Sequence, residues 1–414
     1  MAVGGPAGMS RAGVRDETGA ASTARGSRPV WAEIDLGAVR HNASLLARVA
    51  APAALCAVVK ADAYGHGAVP VARAALEGGA TWLAVATPEE GLELRAAGIS
   101  APVLVLSEPP VDAMVDVVAH GLTLTLYTRR GIRAAAEASA RAGVVTDVHV
   151  KVDTGMHRVG AERAELVQVV EAVAAEPSLC FAALWTHFPV ADGVEREDRS
   201  YTEEQIRSLG AARDALERAG HSPPLLHAAN SAGALAYPAS RLDLVRCGIA
   251  LYGVSPFPVV DPVVADVVAS TGAQGLRPVL SLRAEVTLVR RLDAAERPSY
   301  GRLHALGTRS TVATVPLGYA DGVPRRYFTN GGTVLVGGRH RPLAGMVTMD
   351  QIVVDCGPSE DVAVGDDVVL IGEQGAGSIT ASDWADVLGT IAHEVFCGIG
   401  ARVPRVVVDR EGDA

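Results

Sequence analysis

Of the 37 basic residues in this 414-residue chain, only two are lysines, Lys60 and Lys151. Wherever a cation merely solvates a surface, the sequence uses arginine. A lysine that survives such a bias is either a chance survivor at an exposed site or stands where arginine cannot serve, because only an amine can shed its proton and act as nucleophile or base; its context decides. Lys60 stands in Val58-Val59-Lys60-Ala61-Asp62-Ala63-Tyr64-Gly65-His66-Gly67. A lysine leaving a buried strand has its pKa lowered by desolvation, which favours the neutral amine needed for Schiff-base chemistry. The glycines that follow let backbone amides approach a ligand. Lys151 opens Lys151-Val152-Asp153-Thr154-Gly155-Met156-His157-Arg158-Val159-Gly160. His187 is alone among apolar residues in Trp185-Thr186-His187-Phe188, and no His/Cys/Asp spacing around it suits a metal. Asn230-Ser231-Ala232-Gly233 has the hydroxyl and small residues of a phosphate grip. A packing histidine and a turn are the plainer readings of those two segments.

These residues need a scaffold that brings them together. From about 30 to 255 the chain alternates short apolar runs with Ala-rich helical stretches. The runs are Leu55–Val59, Trp82–Ala86, Val103–Leu106, Leu122–Tyr127, Asp147–Val152, Cys180–Trp185, Leu225–Ala228 and Leu244–Leu251. Eight strands separated mostly by helices predict a (β/α)₈ barrel over residues 29–270, with its chemistry where strands end and βα loops begin. Lys60, Lys151, His187, Asn230, Ser231 and Arg246 all fall at or near such ends. A doubly wound open sheet is the alternative, but no GxGxxG opens a helix after an early strand. Residues 256–280 read as a Pro- and Gly-marked linker. Beyond it, over 276–414, β-branched runs (282–292, 310–316, 333–336, 352–355 and 368–371) predict a mainly β domain with one helix near Ala381–Leu388.

Composition bounds the function classes. The chain is 49% hydrophobic and 20% charged, enough for a sizeable core, and its net charge of −10 argues against a nucleic-acid partner. No apolar run reaches a membrane-spanning length. Residues 1–28, rich in Gly, Ala, Ser and Arg without an apolar centre, read as a disordered leader rather than a secretory signal. Five cysteines with no CxxC pair suit a reducing cytoplasm.

The segment around Lys60 resembles the cofactor-lysine motif of the alanine racemases, barrel enzymes that use pyridoxal phosphate. The similarity runs from Trp31-Ala32-Glu33-Ile34-Asp35 to Arg402-Val403-Pro404-Arg405. The resemblance implies that Lys60 binds the cofactor covalently and is one of two catalytic bases. It implies that Lys151 can be carbamylated to hold Arg158, which would grip the cofactor phenolate and the substrate carboxylate. In Arg246-Cys247-Gly248-Ile249-Ala250-Leu251-Tyr252-Gly253, it places Arg246 against the pyridine nitrogen and the Gly248 and Ile249 amides on the phosphate. Tyr64, His187, Asn230 and Ser231 complete the cofactor site. A permanent cation at that nitrogen keeps the ring a weak electron sink, which favours racemisation over decarboxylation or transamination.

By the same resemblance, Tyr300 in Ser299-Tyr300-Gly301-Arg302 is the second base, supplied across a homodimer interface. A phenol with pKa near ~10 needs neighbouring cations to act at neutral pH. Tyr319, in Pro316-Leu317-Gly318-Tyr319, would line the substrate entry. Met349 and Asp350, in Gly345-Met346-Val347-Thr348-Met349-Asp350-Gln351, would bind and shape the substrate-carboxylate pocket. His393, in Ala392-His393-Glu394-Val395, stands where many family members carry a phosphate-binding tyrosine that narrows the entrance. The implied function is interconversion of L- and D-alanine, supplying D-alanine for peptidoglycan, with no metal. A racemase of broader scope or one preferring serine is the near alternative. A non-catalytic pyridoxal-phosphate carrier and a barrel decarboxylase are more distant. The carrier needs no second domain, and the decarboxylase is expected to set an acid where Arg246 stands.

Overall fold

The computed structural model describes residues 27–257 and 275–410. The leader up to residue 26 and the centre of the expected linker lie outside them.

Eight short parallel strands form the barrel: Ala54–Val58, Trp82–Val85, Val103–Val105, Leu124–Leu126, Thr146–Lys151, Leu179–Trp185, Leu225–His227 and Leu244–Cys247. The last pairs in parallel with the first, with Cys56 opposite Arg246, which closes the ring on that side. Strands three and four meet at the parallel bridge Leu104–Thr123. Strands seven and eight are joined by Asp243 N–H to Leu226 O and Arg246 N–H to Ala229 O. Val103–Val105 and Leu124–Leu126 are buried at every position, as expected of strands covered on both faces. Helices start on polar caps: ahead of the first strand Asp35 accepts from Ala38 N–H, and between the fourth and fifth Thr128 accepts from Gly131 N–H.

The second domain is mainly β, as the 276–414 runs predict, with corrections. The run 282–292 is two strands, Leu280–Glu285 and Leu288–Leu292, which enter different sheets. Strands Arg339–Pro342, Gly377–Ile379 and Arg405–Val408 carry too few apolar residues, or too short a run, to announce themselves. The helix Ala381–Leu388 is present, and a further helix, Ala392–Gly398, follows it.

The largest difference concerns the start of the barrel region. Strand Val30–Asp35 pairs antiparallel with Leu280–Glu285 and parallel with Arg405–Val408. It is therefore a central strand of the second domain's seven-stranded sheet, and the barrel's first strand is Ala54–Val58. The physical reason is burial: Val30, Ala32 and Ile34 share one face, Trp31 packs on the other, and all four are buried. Arg28, placed at the end of the leader by the sequence reading, is likewise part of the fold. Its guanidinium grips the fully buried Asp321 carboxylate in two-point fashion at 2.6 and 2.9 Å. The chain thus crosses the second domain before building the barrel.

Candidate active site

A cavity of about 540 Å³ opens at the C-terminal ends of the barrel strands, within the usual size of a cofactor site. Lys60, Tyr64, Lys151, Arg158, His187, Asn230, Ser231, Arg246, Gly248, Ile249 and His393 all line it. Four of its lining side chains are Lys or Arg, against one carboxylate, Asp192. Such a cavity favours an anionic occupant.

Lys60 is set by unusual backbone. Ala61, Asp62, Ala63 and Tyr64 all have φ between +51° and +54°, a left-handed turn made without glycine, and Gly65 continues it at +77°. Such a turn costs roughly 1–2 kcal/mol per residue, so the surroundings must over-determine it. They do: Asp62 Oδ1 accepts from Ala68 N–H at 2.7 Å, and Arg405 Nε donates to Gly65 O at 2.8 Å. The Arg405 contact ties the turn to the second domain. Burial first, then Arg158, pushes the Lys60 amine below its ordinary pKa.

Arg246 is fully buried at the floor. Its Nη2 donates to Thr186 O and Ala228 O, both at 2.9 Å, and lies 3.2 Å from His187 Nδ1. Its Nη1 donates to His227 Nδ1 at 2.7 Å. Burial lowers the guanidinium pKa only to about 10, so it stays a cation at neutral pH. Burial, reinforced by that cation, holds His187 and His227 neutral. Because His227 Nδ1 accepts, its Nε2 carries the proton and donates to His149 Nδ1 at 3.0 Å. Sequence reading missed His149 and His227. A signal existed for His149, two residues before Lys151 on one strand and therefore on the same inward face. Both lysine and arginine flank Trp185: Lys151 Nζ is 4.4 Å and Arg246 Cζ 4.6 Å from its ring centroid. Burial, then Arg246 and Arg158, pulls Lys151 down to about 7, with Asp153 opposing.

One end of the cavity is organised by Ser231, whose hydroxyl accepts from Gly248 N–H at 3.0 Å and Ala250 N–H at 3.3 Å. Ile249 opens a short 3₁₀ turn, where a leading amide has no intrahelical acceptor. Asn230 has a second task, since its side-chain oxygen caps the helix Ser231–Ala236 through Gly233 N–H. A Cβ on Gly248 would lie 2.4 Å from the Tyr64 hydroxyl oxygen. Only glycine lets that phenol, kept protonated by burial, reach the cradle. These donors fit a phosphorylated aromatic aldehyde: an amine for the aldehyde, a cationic floor for the ring, and hydroxyls and amides for the phosphate. Gly248→Ala should therefore weaken retention of pyridoxal phosphate by about tenfold or more, read by fluorescence titration. Unchanged affinity would remove Tyr64 and Gly248 from the cradle.

Four expected residues lie elsewhere. Tyr300, Tyr319, Met349 and Asp350 do not line this cavity. They cluster on loops of the second domain: Ser299 Oγ donates to Met346 O at 2.6 Å, and Tyr319 and Ala320 N–H bond to Thr348 O and Met349 O. Tyr300 and Met349 are 69% and 52% exposed, which leaves an apolar and phenolic surface facing outward. Asp350 is held in an ion pair by Arg402 at 2.8 Å.

A lysine, an arginine floor and a cluster of hydroxyl and amide groups at the mouth of a (β/α)₈ barrel, with a β domain attached, define a class of lysine-dependent barrel enzymes. The family description "Alanine racemase, N-terminal domain" matches residues 34–256, and "Alanine racemase, C-terminal domain" matches 279–407. The chain belongs to the alanine racemase family. It is 43% identical over 381 residues to the alanine racemase of Symbiobacterium thermophilum, covering 92% of this chain and 97% of that one. Among solved structures, alanine racemase from Streptomyces lavendulae is 39% identical with a TM-score of 0.83, covering 93% and 98% of the two chains. The Bacillus anthracis enzyme with bound L-Ala-P is 36% identical with a TM-score of 0.85, covering 94% and 97%.

Proposed function

We propose that this protein interconverts L- and D-alanine with pyridoxal phosphate, using Lys60 and Tyr300 as opposed bases. The observation that carries the reading is the cationic cavity built around Lys60, with Arg246 rather than a carboxylate at its floor. Family membership over both domains supports it.

Pyridoxal phosphate, when bound, withdraws electrons from an attached amino acid and so acidifies its Cα–H. The chain's own groups do the rest. Ser231, Tyr64 and the amides at Gly248 and Ile249 hold the phosphate, with Asn230 and His393 beside them. Arg246, which stays charged at the cavity floor, would face the cofactor ring and disfavour protonation of its nitrogen. His187, neutral and bonded to Arg246, keeps that guanidinium in place. Arg158 orients the substrate carboxylate, while burial and Arg158 lower the pKa of Lys60 and so favour the neutral amine that can accept a proton. Exchange on the opposite face is assigned to Tyr300 of a second copy. The exposure of Tyr300, Tyr319 and Met349 supports a homodimer in which this surface closes over the partner's cavity, with Met349 and Asp350 framing the carboxylate. A lysine pulled to about 7 is available to carbon dioxide, which supports carbamylation of Lys151. Isotope-labelled bicarbonate should then give a carbamate resonance that is absent in Lys151→Met. A wild-type spectrum without it would leave Arg158 held another way.

No helix among the described residues is long and apolar enough to cross a membrane. We place the enzyme in the cytoplasm, where D-alanine would feed peptidoglycan synthesis. One observation favours a broader substrate range: His393, not tyrosine, lines the cavity mouth, its ring 5.6 Å from that of Tyr64. Turnover of alanine, serine and lysine separates the readings; equal rates would defeat the alanine assignment.

A further inference from the structure

The left-handed turn after Lys60 is held at its start by a side chain from the neighbouring βα unit. Ala61 N–H donates to Glu90 Oε1 at 2.6 Å. The other oxygen, Oε2, accepts from Ala86 N–H at 2.7 Å and Thr87 N–H at 3.1 Å. Ala86 and Thr87 follow strand Trp82–Val85, which pairs directly with Ala54–Val58, the strand that delivers Lys60. One carboxylate therefore staples two adjacent loops at the barrel mouth.

Glu90 is the third residue of the helix Pro88–Ala96, and a glutamate there commonly bonds back to the amide of the capping residue. The bonds from Oε2 are accounted for in that way. The bond from Oε1 is not, because it crosses 29 residues of sequence to an amide outside the helix. Its length is that of a charge-assisted bond. It also falls where it matters, on the residue after Lys60 and at the entrance to four successive non-glycine left-handed residues.

We infer that Glu90 is a positioning residue for Lys60, fixing the lysine backbone by clamping Ala61 N–H against the adjacent βα loop. The inference rests on the reading of Lys60 as the catalytic amine. With Asp62 and Arg405 securing the far end of the turn, Glu90 leaves Lys60 only its side-chain torsions. The amine can then move between its cofactor-bound and free positions without losing its aim. Glu90 also contributes an anion among the groups that act on Lys60: Arg158, Lys151, His187, His393 and Cys397.

The test uses full-length Glu90→Gln. Glutamine has a single acceptor oxygen and an NH₂ group, so it cannot accept from both loops. Amide hydrogen exchange over the peptide containing Ala61–Tyr64 should accelerate by about tenfold or more. Racemisation kcat should fall about tenfold with KM nearly unchanged, as befits a group that aims a base without touching substrate. In cofactor-stripped protein, acylation of Lys60 should have its midpoint at lower pH, because an anion has been removed. A purely helix-capping role would lower thermal stability and leave exchange at 61–64 unchanged, whereas the labelling midpoint follows the lost charge in either case. Should Glu90→Gln fail to fold, Glu90→Asp tests the same point. It keeps the charge but is one methylene too short to span both loops, so fast exchange is expected with a smaller shift in midpoint. A wild-type exchange profile in the folded variant would overturn the inference. Failure of the Lys60 reading shows separately, as full activity in Lys60→Ala.

Discussion

Lys60→Ala should lose racemisation by on the order of 10⁴-fold or more, since the change removes both a covalent anchor and a base. The fold should survive. Lys60 forms no ion pair among the described residues, and the turn that follows it is secured by Asp62, Arg405 and Glu90 through backbone groups. The wild-type protein should carry pyridoxal phosphate that borohydride fixes to Lys60, and the variant should carry none so fixed. A variant with substantial turnover would mean that another amine serves. Lys151 is the only other lysine, and it lies over the Trp185 ring.

Tyr300→Phe should lower turnover by roughly 10²–10⁴-fold, the usual worth of a positioned acid–base group. Its diagnostic effect is asymmetric. With one face of the substrate carbon stripped of its proton carrier, one alanine enantiomer should stop exchanging its α-hydrogen with deuterated water. The other should continue to exchange through Lys60. The substitution is structurally mild because the side chain is 69% exposed and its hydroxyl makes no hydrogen bond among the described residues. Exchange of both enantiomers at the wild-type rate would remove the phenol from the chemistry.

Much of this was legible in the sequence because the barrel repeats one physical pattern. Buried parallel strands read as apolar runs, and all eight lie where the runs place them. The lysine bias then singled out two positions, and both line the cavity. What the sequence concealed was long-range pairing. Nothing in Val30–Asp35 says that it joins strands some 250 and 370 residues away rather than its immediate neighbours. Glu90 was hidden for a related reason: locally it is a helix-start glutamate, and only the fold brings Ala61 to its second oxygen. His227 looks like any strand-end histidine until Arg246 is seen to fix its tautomer. Tyr300 is the opposite case, named from resemblance and left outside the cavity by the single chain, so the role proposed for it requires a second copy.

That role is the centre of the account, and mixing two inactive proteins tests it most directly. Lys60→Ala and Tyr300→Phe chains, unfolded together in equal amounts and refolded, should form mixed dimers in which one site holds an intact Lys60 and an intact Tyr300. Random pairing should restore about a quarter of wild-type activity, since half of the dimers are mixed and each has one complete site. If both bases came from the same chain, every site in the mixture would lack one of them. Activity no greater than the sum of the two separate variants, in a sample shown to contain mixed dimers, would contradict the proposal.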